Sequence, residues 1–205
     1  PGALDLLQYL AVSNIDKPIG KIIYTQFLNS RGGIEADLTI SRTGEEEFYI
    51  VTGSAFGVHD CSWIEKHSPR DSSVEIDNLT EEFGVINLCG PYARDVLKNV
   101  TDDDISNETL PFSSYADIRV AGHPIRAMRI GYVGELGWEM HMGRESMPAV
   151  YKALSEAGSK YDIADVGYRA IDSLRMEKGY LYWSSDISPD YNPFEAGLGF
   201  RVNMK

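Results

Sequence analysis

Cysteine is nearly missing from this 205-residue chain: only Cys61 and Cys89 occur, in different segments and without a CxxC or Cys/His spacing. That argues against a structural zinc site or a disulfide-stapled scaffold and fits a reducing compartment. Also missing is any apolar run of the roughly 18 residues that a membrane span needs, and no charged-then-apolar leader opens the chain. Positive charge is scarce. Nineteen Lys and Arg stand against 31 Asp and Glu, a formal net charge of −12 that would repel a phosphate backbone, so nucleic acid is not an expected partner. An anionic small molecule stays possible, because a few local arginines can outweigh the global field inside a cleft. There is no P-loop and no G-x-S-x-G elbow. His59, His67, His123 and His141 share no metal-like spacing with a carboxylate and have no nucleophile beside them. They read as structural or solvated, and no metal is expected.

What is present suffices for a folded core: 43% of the residues are hydrophobic, and the charges, 24%, are spread without long blocks. Leu4, Leu7 and Leu10 mark a short amphipathic helix entered through Pro1-Gly2. Residues 22–28 read as a strand, 29–33 as a glycine turn, and 34–41 as a strand whose apolar Ile34, Ala36, Leu38 and Ile40 alternate with Glu35, Asp37, Thr39 and Ser41. A third strand is expected over 48–52, a helix over 54–67, and strands over 74–76 and 85–88. Pro91 suits the start of a helix over 92–100. Two further strands flank a glycine-rich turn at 133–137, one ending near Tyr132 and the other covering 138–142. Helices over 147–157 and 166–178 are each followed by a capping glycine, Gly158 and Gly179. Strands and helices interleave without a βαβ rhythm, so the expected class is α+β, with mainly antiparallel sheets and packed helices. No repeat or linker is visible, and the chain reads as one domain, 1–205, cut from something longer.

Three places could carry chemistry. Asp37 lies on the polar face of its strand beside Glu35 and Thr39, where a solvated acid is the simpler account and only a pocket would make it a proton acceptor. The run Gly131-Tyr132-Val133-Gly134-Glu135-Leu136-Gly137-Trp138-Glu139 has glycines three apart, not the G-x-G-x-x-G of a dinucleotide site. A hairpin there would bring Tyr132 and Glu139 together to grip a polar heterocycle; a plain turn explains the same residues. In the third place Val166, Ala170, Ile171 and Leu174 form an apolar stripe that leaves Arg169, Asp172 and Arg175 on the polar side. Arg175 either pairs with Asp172 at i, i+3 or receives a ligand carboxylate in its guanidinium fork.

Three motifs, in this order and with these gaps, resemble those of the glycine-cleavage T-protein (aminomethyltransferase) superfamily. They are Tyr24-Thr25-Gln26-Phe27-Leu28-Asn29-Ser30-Arg31-Gly32-Gly33-Ile34-Glu35-Ala36-Asp37-Leu38-Thr39, then Tyr132 through Glu139, then Tyr168-Arg169-Ala170-Ile171-Asp172-Ser173-Leu174-Arg175-Met176-Glu177-Lys178-Gly179-Tyr180 followed by Asn192-Pro193-Phe194-Glu195-Ala196-Gly197-Leu198. The resemblance covers essentially the whole chain and is strongest to the branch fused to sarcosine and dimethylglycine dehydrogenases. Gly53-Ser54-Ala55-Phe56, where T-proteins carry an asparagine pattern, favours that branch, and Ala36-Asp37 keeps one of the two adjacent aspartates common in T-proteins.

The resemblance implies a tetrahydrofolate-binding domain that captures an iminium carbon as 5,10-methylenetetrahydrofolate. It implies an FAD domain before this region and a small C-terminal barrel after it, both absent here. Its partners would be folate and a small methylated amine, and its compartment bacterial cytoplasm or mitochondrial matrix. Residue by residue, it implies Asp37 as the catalytic acid/base group, Tyr132 and Glu139 as pterin contacts, Tyr24 and Trp183 as aromatic lining, and Arg175 facing the folate tail. Two alternatives stay open: a non-catalytic regulatory module, as in the regulatory subunit of pyruvate dehydrogenase phosphatase, which is similar in sequence, and an enzyme that demethylates another substrate directly onto folate.

Overall fold

A computed structural model describes residues 2–204, and in it Leu6, Leu7 and Leu10 form the buried side of the first helix, α1 (Ala3–Leu10). Gly2 caps this helix at φ 106°, a conformation that suits glycine; Pro1, the other half of the expected entry, lies outside the described residues. Three antiparallel strands follow, β1 (Ile22–Leu28), β2 (Ile34–Arg42) and β3 (Phe48–Thr52), in the order β1-β2-β3. One face of β2 buries Ala36, Leu38 and Ile40 with Ile23 and Phe27 of β1 and the leucines of α1. The helix α2 (Gly57–His67) adds Ile64 to that core. It begins three residues later than the sequence suggests, because Phe56 N–H closes a turn on the Gly53 carbonyl at 2.8 Å.

The free edge of β1 is covered. Val12 N–H donates to Gln26 O at 3.0 Å, and Asn203 N–H in turn donates to Val12 O at 2.7 Å, which leaves fewer open ladder groups to template aggregation. No strand forms at 74–76; Val74 and Ile76 pack against the core as irregular chain.

The chain divides into two compact units, Pro1–Asn78 with Leu181–Lys205, and Leu79–Tyr180. The second unit holds β4 (Phe83–Cys89), α3 (Ala93–Lys98), β5 (Tyr115–Val120), β6 (His123–Met128), β7 (Gly137–Gly143), α4 (Met147–Gly158) and α5 (Tyr168–Glu177). Its sheet runs β4-β7-β6-β5 with every pairing antiparallel. Trp138, Met140 and Met142 on one face of β7 form its core with Leu97, Ile125 and Val150. β5 and β6 join through Ala121 (φ 49°) and Gly122 (φ 82°), two left-handed residues as a type I′ hairpin requires. Ala-Gly lacks the usual Asn-Gly signal, so β5 goes unread in the sequence.

Two boundaries and one helix face differ from expectation. β6 stops at Met128, not near Tyr132. Gly158 is the last helical residue of α4 and stays right-handed (φ −82°); its missing Cβ makes room for Ile163, which a Cβ would meet at 2.7 Å. On α5 the anticipated apolar stripe is not the buried side. Val166 is 52% exposed and Arg175, at 7%, is the buried residue of the helix. Burying a guanidinium is tolerable here because its donors are engaged by Asp172 and the Tyr180 carbonyl. Gly179 does cap α5 as expected. With φ 70° it allows Gly179 N–H to reach Met176 O and Tyr180 N–H to reach Arg175 O, both at 3.0 Å, the paired bonds of a Schellman motif.

Candidate active site

The register of the first hairpin decides what surrounds Asp37. Gln26 of β1 stands directly opposite Asp37, and Tyr24, two residues earlier, falls on the same face. Gln26 Nε2 donates to Asp37 Oδ1 at 2.8 Å, and the Tyr24 hydroxyl donates to the same carboxyl. The polar face of β2 is thus not a solvated surface. Burial is the main force on Asp37 and pushes its pKa from 3.8 up to about 6. The bonds from Gln26 and Tyr24 pull it down, the charge of Asp60 on α2 pushes it up, and Arg201 pulls it down. Burial, and then the Asp37 charge, hold the Tyr24 phenol well above its ordinary value.

The segment 181–204 returns to this sheet and completes the site. Ile34 N–H donates to Tyr191 O at 2.9 Å, and Trp183 Nε1 donates to Ile34 O at 3.0 Å. Gly33 permits the approach, since a Cβ there would lie 1.9 Å from the Pro189 carbonyl oxygen. Phe56 meets the Trp183 ring edge-on at 4.8 Å, and His59 lies 5.8 Å from it. The Arg201 guanidinium lies over the Tyr24 ring at 5.1 Å. Two buried polar atoms here, Gln26 Oε1 and Arg201 Nε, have no hydrogen-bond partner among the described residues. Orphans of this kind are uncommon in folded proteins and suit a ligand carrying both a donor and an acceptor.

Tyr132, Glu139 and Arg175 belong to the second unit. Tyr132 sits in the loop after β6, not on a strand, so it does not pair with Glu139; Met128 does. The Tyr132 ring stacks on Tyr180 with centroids 6.3 Å apart, and Lys178 Nζ lies 3.5 Å from Glu135 Oε1, which ties the glycine-rich turn to the end of α5. Glu139 shares a face of β7 with His141, whose Nε2 is 3.8 Å from its carboxylate. Arg175 Nε donates to Asp172 Oδ1 at 2.8 Å and Nη1 to Tyr180 O at 2.9 Å, so the i, i+3 pair forms.

Sequence reasoning passed over Gln26, Phe56, His59, Asp60 and Arg201. Gln26 comes opposite Asp37 only through a register shift between Phe27 and Leu28, where Leu28 pairs with Ile34 but Phe27 with Ala36, and no residue of the turn announces it. Nothing local marks the others, which arrive through helix docking and the returning segment. Among the described residues no group of His, Cys, Asp and Glu is arranged to hold a metal ion, and no helix is long and apolar enough to cross a membrane.

The model of the GCVT N-terminal domain family matches residues 1–205. The chain belongs to that family. This GCVT domain is 40% identical over 211 residues to mitochondrial sarcosine dehydrogenase of Homo sapiens, covering 96% of the chain and 23% of that protein. It is 39% identical over 200 residues to mitochondrial dimethylglycine dehydrogenase of Mus musculus, covering 97% of the chain and 23% of that protein. The chain thus spans about a quarter of the length of these relatives. Its fold is similar to the crystal structure of glycine cleavage system aminomethyltransferase T from Bartonella henselae, with a TM-score of 0.83 and 29% identity over 100% of this chain and 54% of that one. The GCVT domain is therefore aminomethyltransferase-like and α+β, and it is related to the sarcosine and dimethylglycine dehydrogenases.

Proposed function

We propose that this GCVT domain is the tetrahydrofolate-binding, one-carbon-transfer part of a sarcosine/dimethylglycine-type dehydrogenase, with Asp37 as its proton acceptor. The observation that carries the reading is the buried Asp37 carboxyl with its pKa at about 6, flanked by the unpartnered Gln26 Oε1 and Arg201 Nε. A general base works best with a pKa near the operating pH, where it is mostly ionised yet still binds a proton. The orphaned acceptor and donor suit a heterocycle rich in N–H and carbonyl groups, so the residues fit a reduced folate.

Folate, when bound, would supply the nitrogen nucleophiles that take the carbon of the iminium as 5,10-methylenetetrahydrofolate, the bond from that carbon to the substrate nitrogen breaking and the demethylated amine leaving. Asp37 takes the proton released at a folate nitrogen, while its negative charge favours the nearby iminium. Gln26 and Tyr24 hold the carboxyl in one orientation, and Trp183 with Phe56 supplies an aromatic wall. In the second unit Tyr132 and Glu139 are the proposed pterin contacts, and Arg175, oriented by Asp172, the tail contact. The folate-binding domain is proposed to span residues 1–205. Oxidation of the methylamine by FAD belongs to the longer relatives and is a proposal for the whole protein, as is a mitochondrial-matrix or bacterial-cytoplasmic location. No observation favours the regulatory alternative.

Calorimetric titration of the chain with tetrahydrofolate tests the binding, with Arg175→Ala as the tail control. Saturable binding weakened by the substitution supports the reading; no binding by the folded chain and by the full-length protein sinks it. Asp37→Asn separates the chemistry: folate should bind nearly as in the wild type while single-turnover transfer falls by roughly 10²–10⁴-fold.

A further inference from the structure

Around Asp37 the carboxylates outnumber the permanent cations, and counting His59 as a cation reduces the excess. Three carboxylates converge from two elements. β2 carries Glu35, at the register shift with β1, and Asp37, and α2 brings Asp60, whose charge acts on Asp37. Opposing them are Arg201, from the short turn Gly199–Arg201, and His59 from α2. From β1, Tyr24 and Gln26 add neutral donors.

His59 is placed with both ring nitrogens against carboxylate oxygens. Nδ1 is 2.8 Å from Asp60 Oδ1 and Nε2 is 3.1 Å from Glu35 Oε1. A neutral imidazole carries one N–H, so one of these contacts would set a lone pair against an anion; only the imidazolium donates to both. The Trp183 ring beside it, 5.8 Å away, is a further neighbour compatible with a cation. Asp60 also accepts from the Thr52 hydroxyl of β3, which fixes the carboxylate that His59 must meet.

We propose that His59 is clamped as an imidazolium between Glu35 and Asp60 and serves as a positioning residue for Asp37, its charge cancelling that of Asp60 so that Asp37 can ionise at neutral pH. The hydrogen bond to Asp60, followed by that to Glu35, holds the imidazole above its ordinary pKa against an opposing effect of burial. Removing the cation leaves Asp60 uncompensated, and its like charge, which already pushes the Asp37 carboxyl up, should then raise it further, by about one unit. At pH 7 the ionised share of Asp37 would then drop from about nine-tenths to about half.

The test needs neither folate nor turnover, so it stands apart from the proposed function. In the intact chain, ¹⁵N NMR of the histidine side chains should show His59 with both nitrogens protonated at pH 7. A neutral tautomer there would overturn the proposal without any substitution. ¹³C-carboxyl NMR of Asp37 then supplies the second arm. In His59→Gln the midpoint should rise by about one pH unit, and in His59→Gln/Asp60→Asn, which removes cation and anion together, it should return to near the wild-type value. A structural role alone predicts no such return, and an Asp37 midpoint unmoved by His59→Gln in a folded variant refutes the coupling.

Discussion

Replacing Asp37 by asparagine should make the protein more stable, and only over part of the pH range. In the folded chain the carboxyl has a pKa of about 6, against 3.8 for an ordinary aspartate, chiefly because burial opposes its charge. Between those values the folded state holds a proton that the unfolded chain has lost, so the contribution of Asp37 to stability falls as pH rises from about 4 to about 6 and levels off above. The full difference corresponds to about 3 kcal/mol. Asparagine keeps the shape and carries no charge, and its amide can donate to Gln26 Oε1, which has no partner. Urea unfolding of both proteins across pH 4–8 should therefore show Asp37→Asn ahead by up to about 3 kcal/mol at pH 8, with the gap closing towards pH 4. Other titrating groups are common to both proteins and cancel in the difference. A gap that stays constant with pH, or one that widens in acid, would refute the argument that burial holds this carboxyl under tension. The same substitution should slow transfer by roughly 10²–10⁴-fold, so stability and activity would move in opposite directions.

Tyr24→Phe deletes a donor to the Asp37 carboxylate while keeping the ring under Arg201; the Asp37 midpoint should move to higher pH, followed by carboxyl NMR, and an unchanged midpoint would mean that Gln26 alone orients the group. Gly33→Ala would place a Cβ 1.9 Å from the Pro189 carbonyl oxygen, so the returning segment should loosen, with red-shifted tryptophan emission from Trp183 and a loss of roughly 1–3 kcal/mol. Wild-type emission and melting temperature in that variant would show that the segment docks by another route.

Much of the first hairpin could be read directly. The alternation of Ala36, Leu38 and Ile40 with polar residues settles which way Asp37 points, and Gly32-Gly33 marks the turn, while the slip between Phe27 and Leu28 that sets Gln26 opposite Asp37 has no local signal. The alternation and the turn are short-range properties, a period of two and a backbone conformation that glycine supplies. The α5 helix was legible in period and cap but not in orientation. Its stripe of Val166, Ala170, Ile171 and Leu174 predicts a buried side that Arg175 occupies instead, because periodicity records which residues share a face and not which face finds a partner.

By itself, then, the sequence determined the antiparallel α+β class, the β1–β2 hairpin and the identity of Asp37 as the acid on its polar face. Tertiary structure alone decided that this face is covered. Segment 181–204 carries Trp183 back to β2 and Arg201 to Tyr24 of β1, and α2 docks His59 and Asp60 against Glu35 and Thr52. Ile34 and Trp183 are far apart along the chain, and no local propensity encodes a contact closed only when the whole unit packs. The pKa of Asp37 follows from that closure, since desolvation depends on what surrounds a carboxyl and not on the residues next to it in sequence.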